Sequence, residues 1–571
     1  MSTKSLCAIV GCILLQSFTL AMPPKPGIKM PPWLERERLE LGIDNPKDPI
    51  RDAGKKGMFN GFENGYNLLV SGTQEFPVVL IEYPDLASQY TIEEFYAMLF
   101  GGWPSGSAND YYTEISYGKL NLDGWVAGWA VAANSMSYYG ENSGSTGAAE
   151  LVWEAAEQAD EVLDYSELDN DGDGFVDCFT TVHSGHGAEE TGDNDQIWSH
   201  KAKLSDFLGS PYITNDPDPY HPGEFIKIDL YTIQPELYDK SNYFDMVCIG
   251  VFCHEWGHAF GLPDLYDTDQ GDGNEGAGLG KWCLMAGGSW GGDGESPWSP
   301  AHMSSWCKSQ VGWLIPTKVT ANKYYTVKQV ETNPQAYKLW TNGNPQKEYF
   351  LIENRQAVGF DENIPASGLL ICHIDENVIS ARRPDNQVNA GGDYPYGVAV
   401  EQADGVDDLW DGNNSGDDGD LFPSSTDNTA FEYVGTSPDS RSNSGNFTFC
   451  GVNEIPVSAS EMSPYMYVKT SSLEEVTPVS VVKNLECRPN PFSYSARISY
   501  TLLKPTHVTL TIWDATGRCI RTLVDENQTQ GLHSVQWKRT DDREQFVPNG
   551  VFFSRFKTNE YTILKKIVVI R

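Results

Sequence analysis

Hydrophobic positions first form a clear pattern at residues 76–85, where Phe76-Pro-Val-Val-Leu-Ile81 runs apolar without alternation up to Pro84 and Asp85. An unbroken run of this kind predicts a strand covered on both faces. Helical spacing follows at 91–100 and 147–163, and the first of these opens with Thr91 and Glu94 placed as a capping box. Strand and helix patterns interleave to about residue 315, which predicts an α/β (α+β) domain over 76–315. Over 316–475 the pattern changes to strands and turns, as at 349–353, 368–374 and 396–400, and predicts a β-rich accessory domain. A last domain is expected over 480–571. There Ile498, Tyr500 and Leu502 alternate, as do Val508, Leu510 and Ile512, and Val535 with Trp537. Turn signals at 514–517 and Asn549-Gly550 separate these runs, which is the pattern of a β-sandwich.

The N-terminus reads differently. Lys4 precedes an apolar stretch over 6–15, and Thr19-Leu20-Ala21 offers small residues at the two positions that matter for cleavage, so residues 1–21 read as a secretory signal peptide. The rival, lipoprotein processing at Ile9-Val10-Gly11-Cys12, has too little apolar sequence before Cys12. No stretch is long enough for a membrane span. Residues 22–75 are polar and Pro-rich, with one helical pattern at 33–41, and read as a propeptide or N-terminal segment. This segment has no cysteine, so a thiolate cannot be what blocks a metal; Asp44, Asp48 or Asp52 could, and nothing selects one.

Composition narrows the function. With 571 residues the chain needs several cores. Its 40 basic and 79 acidic residues give a net charge of −39, which argues against a nucleic-acid partner. Beyond the signal, nine widely spaced cysteines with no CxxC pair do not form a disulfide framework, and any pairing stays unread. With no Gly-x-Ser-x-Gly elbow and no histidine partner for a cysteine, nucleophilic catalysis is disfavoured.

The strongest chemical signal is Cys253-His254-Glu255-Trp256-Gly257-His258, an HExxH motif. On a helix His254 and His258 share one face and reach one metal ion, and Glu255 beside them can act as general base. Gly261 then permits a left-handed reversal, and Asp264 completes H-E-x-x-H-x-x-G-x-x-D, the metzincin spacing with Asp in the third position. Three protein ligands leave the fourth zinc position open to water. Met285 is placed as a structural Met-turn under the site. Asp293 and Glu295 stay open as substitutes for Asp264.

A second metal pattern is Asp169-Asn-Asp171-Gly-Asp173-Gly174-Phe175-Val-Asp177. Asp169, Asp171, Asp173 and Asp177 with the Phe175 carbonyl have the spacing of a calcium loop, and Thr180 in place of Glu makes it other than an EF-hand. Residues 401–427 hold nine carboxylates and no Lys or Arg; Glu401, Asp404, Asp417, Asp418 and Asp420 either hold a second calcium or are simply solvated. His183 and His186 read as structural or cleft residues, and His200, His221, His302 and His373 as isolated ones.

The wider context resembles the M6 metalloprotease family of the immune inhibitor A type. The resemblance is carried by His254-Glu-Trp-Gly-His-Ala-Phe-Gly-Leu-Pro-Asp-Leu-Tyr-Asp267 and Trp282-Cys-Leu-Met-Ala-Gly-Gly-Ser-Trp290. Asp110-Tyr-Tyr-Thr-Glu-Ile-Ser-Tyr-Gly-Lys-Leu120 and Glu348-Tyr-Phe-Leu-Ile-Glu-Asn-Arg355 support it. It implies a metzincin-like zinc protease domain, an extracellular endopeptidase acting on proteins or peptides, catalytic zinc and structural calcium. The short N-terminal segment departs from the family and leaves latency open. From Arg488-Pro-Asn-Pro-Phe492 to Lys565-Lys-Ile-Val-Val-Ile-Arg571 the tail resembles type IX secretion sorting domains and FlgD-type Ig-like domains. That resemblance implies an Ig-like β-sandwich read by outer-membrane secretion machinery, and a secreted, cell-surface or outer-membrane-attached product. A generic accessory sandwich is the alternative. For the whole chain, the rival from another class is a catalytically silent binding or adhesive protein with a structural metal. An intact Glu255 argues against it, because a structural zinc needs no general base.

Overall fold

The structure is a computed structural model that describes residues 20–23, 25, 70–140, 145–238, 245–268, 276–390, 395–468, 482–502, 505–515, 518–558 and 562–570. Most of the expected signal peptide and propeptide, with the 33–41 helix and Asp44, Asp48 and Asp52, lies outside them. Among the described residues no helix is long and apolar enough to cross a membrane.

The apolar run at 76–81 lies inside the strand Gly72–Glu82, an interior strand of the main sheet next to its edge strand. This strand pairs in parallel with Leu120–Val131 on one side and Phe179–His186 on the other. Leu230–Tyr238 continues the parallel set, and His200–Lys203 pairs antiparallel to it. Leu20 and Ala21, the last two residues of the expected signal, lie antiparallel along His200–Lys203. Apolar side chains on one face of Gly72–Glu82, such as Phe76, Val78 and Leu80, join the larger core, and Val79 and Ile81 join a second core on the other. That two-sided burial is why the run shows no alternation.

Helices on both faces follow local signals. Thr91 caps Ile92–Leu99 reciprocally with Glu94, as its spacing predicts. The pattern at 147–163 corresponds to the helix Ser145–Ala159, whose alanines pack into the second core. The helix Ile249–Ala259 carries the HExxH motif and is buried on every side.

The expected boundary at 315/316 does not separate two bodies. The described residues up to Phe431, with those of Ser442–Lys469, form one compact unit. The reason is a shared core, in which Trp256 and Met285 belong to the same apolar cluster as Leu351, Leu370, Val398 and Leu421. The latter come from a five-stranded sheet that includes Glu348–Arg355, Gly368–Asp375 and Val398–Val400, and from the segment after it. Arg355 is fully buried on this sheet and donates to both Asp361 oxygens (2.8 and 2.7 Å), to Glu353 and to the Trp282 carbonyl. Thus the strand after the boundary ties directly to the segment carrying Met285.

A second unit comprises Glu432–Arg441 and the described residues of Thr470–Arg571. Its C-terminal part has seven strands in two antiparallel sheets, three-stranded and four-stranded, around one core with Trp537, Phe552 and Phe556. The alternating residues at 498–502 and 508–512 supply that core, as their period requires. All nine cysteines among the described residues are reduced, and the Cys283 and Cys307 sulfurs lie 3.8 Å apart.

Candidate metal centre

The helix Ile249–Ala259 ends where its sequence provides for an ending. Gly261 takes φ +84°, and its N–H returns to the His258 carbonyl at 2.8 Å while Leu262 N–H reaches Gly257 at 3.1 Å. The reversal carries Asp264 back to the helix face that presents the two histidines. His254 Nε2 and His258 Nε2 lie 3.1 Å apart, and Asp264 Oδ1 is 3.2 Å from the first and 3.3 Å from the second. All three side chains are fully buried, as is Glu255.

Each imidazole is oriented from behind. His254 Nδ1 is 2.8 Å from the Leu284 carbonyl, and His258 Nδ1 is 2.8 Å from the Leu262 carbonyl. A carbonyl only accepts, so Nδ1 carries the hydrogen in both rings and each Nε2 turns an unprotonated lone pair toward the shared point. Burial pushes the His258 imidazole down, which keeps it neutral. The donors therefore fit a zinc ion. Tetrahedral coordination at about 2.0–2.1 Å requires donor atoms about 3.3 Å apart, close to the triangle found. Among the described residues, His254, His258 and Asp264 form one of two clusters able to hold a metal.

Met285, the expected Met-turn residue, lies beside the ligand loop. Its carbonyl accepts from Leu265 N–H at 2.7 Å, next to Asp264. Of the substitutes for Asp264, Asp293 is used locally, accepting from Glu295 N–H and from Ser296 Oγ, and Glu295 is exposed.

A residue without a motif also enters the centre. Asn386, just after the helix Glu376–Arg382, accepts from Asp264 N–H at 2.8 Å and donates to Asp264 Oδ2 at 2.6 Å. Nothing in its local sequence marks it, because the contact joins residues 122 apart.

The second cluster is Asp169, Asp171 and Asp173. Positive φ at Gly172 (+77°) and Gly174 (+91°) folds the loop so that the Asp169 carboxylate accepts from the N–H groups of 172, 173 and 174. Burial pushes Asp171 up to about 7 and Asp177 up to about 8, with neighbouring carboxylates adding to both. Asp177 turns to Asn170, accepting from its N–H and its amide, and does not join the cluster of three. Asp218, which the loop spacing cannot reveal, comes so close that a Cβ on Gly174 would stand 2.7 Å from its Oδ2. Thr180, the twelfth position, instead accepts from Trp256 Nε1 at 3.0 Å, which links the strand after the loop to the HExxH helix.

The acidic stretch over 401–427 does not act as one group. Glu401 pairs with His373 at 3.1 Å, and Asp420 accepts from Trp282 Nε1 at 2.8 Å. His183 and His186 are buried in the main sheet, His200 contacts Trp198 and Tyr231, and His221 pairs with Asp218.

Residues 82–314 match the immune inhibitor A peptidase M6 catalytic domain. Immune inhibitor A of Bacillus thuringiensis subsp. alesti is 31% identical over 260 residues, covering 38% of this chain and 36% of that protein. The pre-pro-metalloprotease PrtV of Vibrio cholerae serotype O1 (strain M66-2) is 29% identical over 314 residues, covering 47% of this chain and 33% of that protein. The chain thus spans about a third of the length of these curated relatives. These likenesses support a metalloprotease. Among solved structures, dimeric latent PorU from Porphyromonas gingivalis is similar at 18% identity over 21% of this chain and 12% of that one, with a TM-score of 0.14.

Proposed function

We propose that this chain is a secreted zinc endopeptidase that hydrolyses peptide bonds in extracellular proteins, with His254, His258 and Asp264 holding the metal and Glu255 as general base. The observation that carries it is the triangle of two imidazole Nε2 atoms, from the helix that also bears Glu255, and one Asp264 carboxylate oxygen, with edges of 3.1–3.3 Å. A zinc ion held there supplies the positive charge that polarises a scissile carbonyl and acidifies water. Glu255 accepts the proton of the attacking water and passes it to the leaving amine. Burial of Glu255 keeps that transfer away from bulk solvent. Casein hydrolysis by the full chain, with and without a zinc chelator and with Glu255→Ala, tests this. Wild type should cleave and stop on chelation, and the variant should bind zinc yet stay inactive. Equal inertness of both, each with zinc bound, would sink the protease reading in favour of a silent metal-bearing binding protein.

Two further assignments belong to this reading. Asp169, Asp171 and Asp173, with the Phe175 carbonyl, hold a structural calcium, which is supported by the convergence of the three carboxylates. The C-terminal unit serves as an Ig-like sorting domain for outer-membrane secretion, leading to release or surface attachment. Its support is the sequence of residues 488–492 and 565–571 together with the two-sheet core.

A further inference from the structure

We infer that Asn386 is a positioning residue for Asp264, so that the metal centre is completed by a segment well past the 82–314 span that matches the peptidase domain. The inference rests on the reading of His254, His258 and Asp264 as zinc ligands.

A carboxylate ligand has two oxygens and rotates about its own axis. Here the two are given separate tasks. Oδ1 faces both histidine nitrogens, at 3.2 and 3.3 Å, and Oδ2 accepts the Asn386 amide at 2.6 Å. The other end of the same amide, Oδ1 of Asn386, accepts from Asp264 N–H at 2.8 Å. Donor and acceptor are both needed, one bond fixing the backbone and the other the carboxylate plane, and the asparagine amide offers both. The bond to Oδ2 involves a charged acceptor in a dry site, so its loss leaves a buried anion under-satisfied.

The segment that brings Asn386 is itself tied to the ligand loop. Arg383 Nη2 donates to the Gly261 carbonyl at 2.6 Å, Asn389 to the Leu265 carbonyl at 3.0 Å, and Thr268 Oγ1 to the Asn386 carbonyl at 2.9 Å. Asn386 is buried with φ +47°, a left-handed conformation that asparagine tolerates better than most side chains.

The test is zinc affinity of the full-length chain, measured by competition with a chromophoric chelator, for wild type, Asn386→Ala and Asn386→Asp. Asn386→Ala should weaken zinc binding about 10–100-fold, the usual cost of losing an orienting partner. Asn386→Asp keeps the acceptor for Asp264 N–H but sets an anion against Oδ2, so it should bind zinc no better than Asn386→Ala. A role confined to bracing the loop predicts the opposite order, with Asp closer to wild type. Wild-type affinity in Asn386→Ala, or an Asp variant that outperforms it, overturns the inference. Should Asn386→Ala not fold, the near-isosteric Asn386→Asp decides alone, and wild-type affinity there overturns it. A wild-type chain that takes up no zinc, or a His254→Ala variant that holds it as tightly, overturns the metal-centre reading instead.

Discussion

Gly257 and Met285 are in contact across the base of the helix Ile249–Ala259: a Cβ on Gly257 would stand 2.5 Å from the Met285 sulfur, and 3.3 Å from the ends of Met285 and Met303. One of the two variable positions inside HExxH is thus filled by a side chain from the turn below. That turn also supplies the Leu284 carbonyl that orients His254 and the Met285 carbonyl that holds Leu265.

Gly257→Ala should therefore destabilise the chain although alanine favours helix by about 1 kcal/mol, because overpacking costs about 1–3 kcal/mol. Met285→Ala alone should cost about 2–5 kcal/mol as a cavity. Combined, the two should cost less than their sum, since the shortened residue 285 makes room for the new methyl. Denaturant melts of the four proteins measure this, and strictly additive costs would show that the contact does not limit the helix.

The loop proposed to hold calcium has a pH trend of definite sign. With Asp171 and Asp177 raised to about 7 and 8, the folded state holds protons that the unfolded chain has released, so stability falls as pH rises from about 4 to about 8. In chelator the melting temperature should follow that trend. Calcium should raise it most near pH 8, where the carboxylates are needed ionised, and Asp171→Asn should abolish the calcium-dependent gain. A calcium response that is the same in Asp171→Asn would place the ion elsewhere.

Arg355 should be among the costliest residues to remove. It is fully buried against Asp361, Glu353 and Glu331, so Arg355→Ala leaves uncompensated buried carboxylates and should cost about 3–5 kcal/mol. Arg355→Lys should recover little of this, because one ammonium cannot reproduce the two-pronged bond to Asp361. Urea denaturation is the measurement; a loss below about 1 kcal/mol, the scale of a surface pair, would contradict the network.

His373 gives the other pH-dependent term. Burial pushes its imidazole down, but Glu348 at 3.0 Å and Glu401 at 3.1 Å more than offset this and raise it to about 9. The charged pair contributes fully below about pH 6.5, the free imidazole value, and its contribution is lost as pH rises through about 9. Melting temperatures between pH 6 and 10, taken with calcium saturating, should fall less in His373→Gln than in wild type. Parallel curves would mean that His373 is neutral in the fold.

Much of the site was legible in sequence because it is local. Histidines four apart share a helix face by covalent geometry, Thr91 and Glu94 cap their helix through neighbouring backbone groups, and Gly261 reverses the chain because φ +84° suits glycine. The apolar run at 76–81 and the alternation at 498–502 encode two-sided and one-sided burial in the same local way. Tertiary structure decided the rest, because it depended on which distant groups come to share a buried space. Packing keeps Asp293 in its own turn and sets Asp264 against the histidines. It sends Glu401 to His373, away from the other acidic residues of its stretch, and brings Asp218 to the loop of Asp169, Asp171 and Asp173. It also merges the segments on either side of residue 315 into one core, and through that merger Asn386 reaches Asp264. No periodicity or spacing records such contacts, since their partners are fixed only when the elements dock and buried polar groups must find one another.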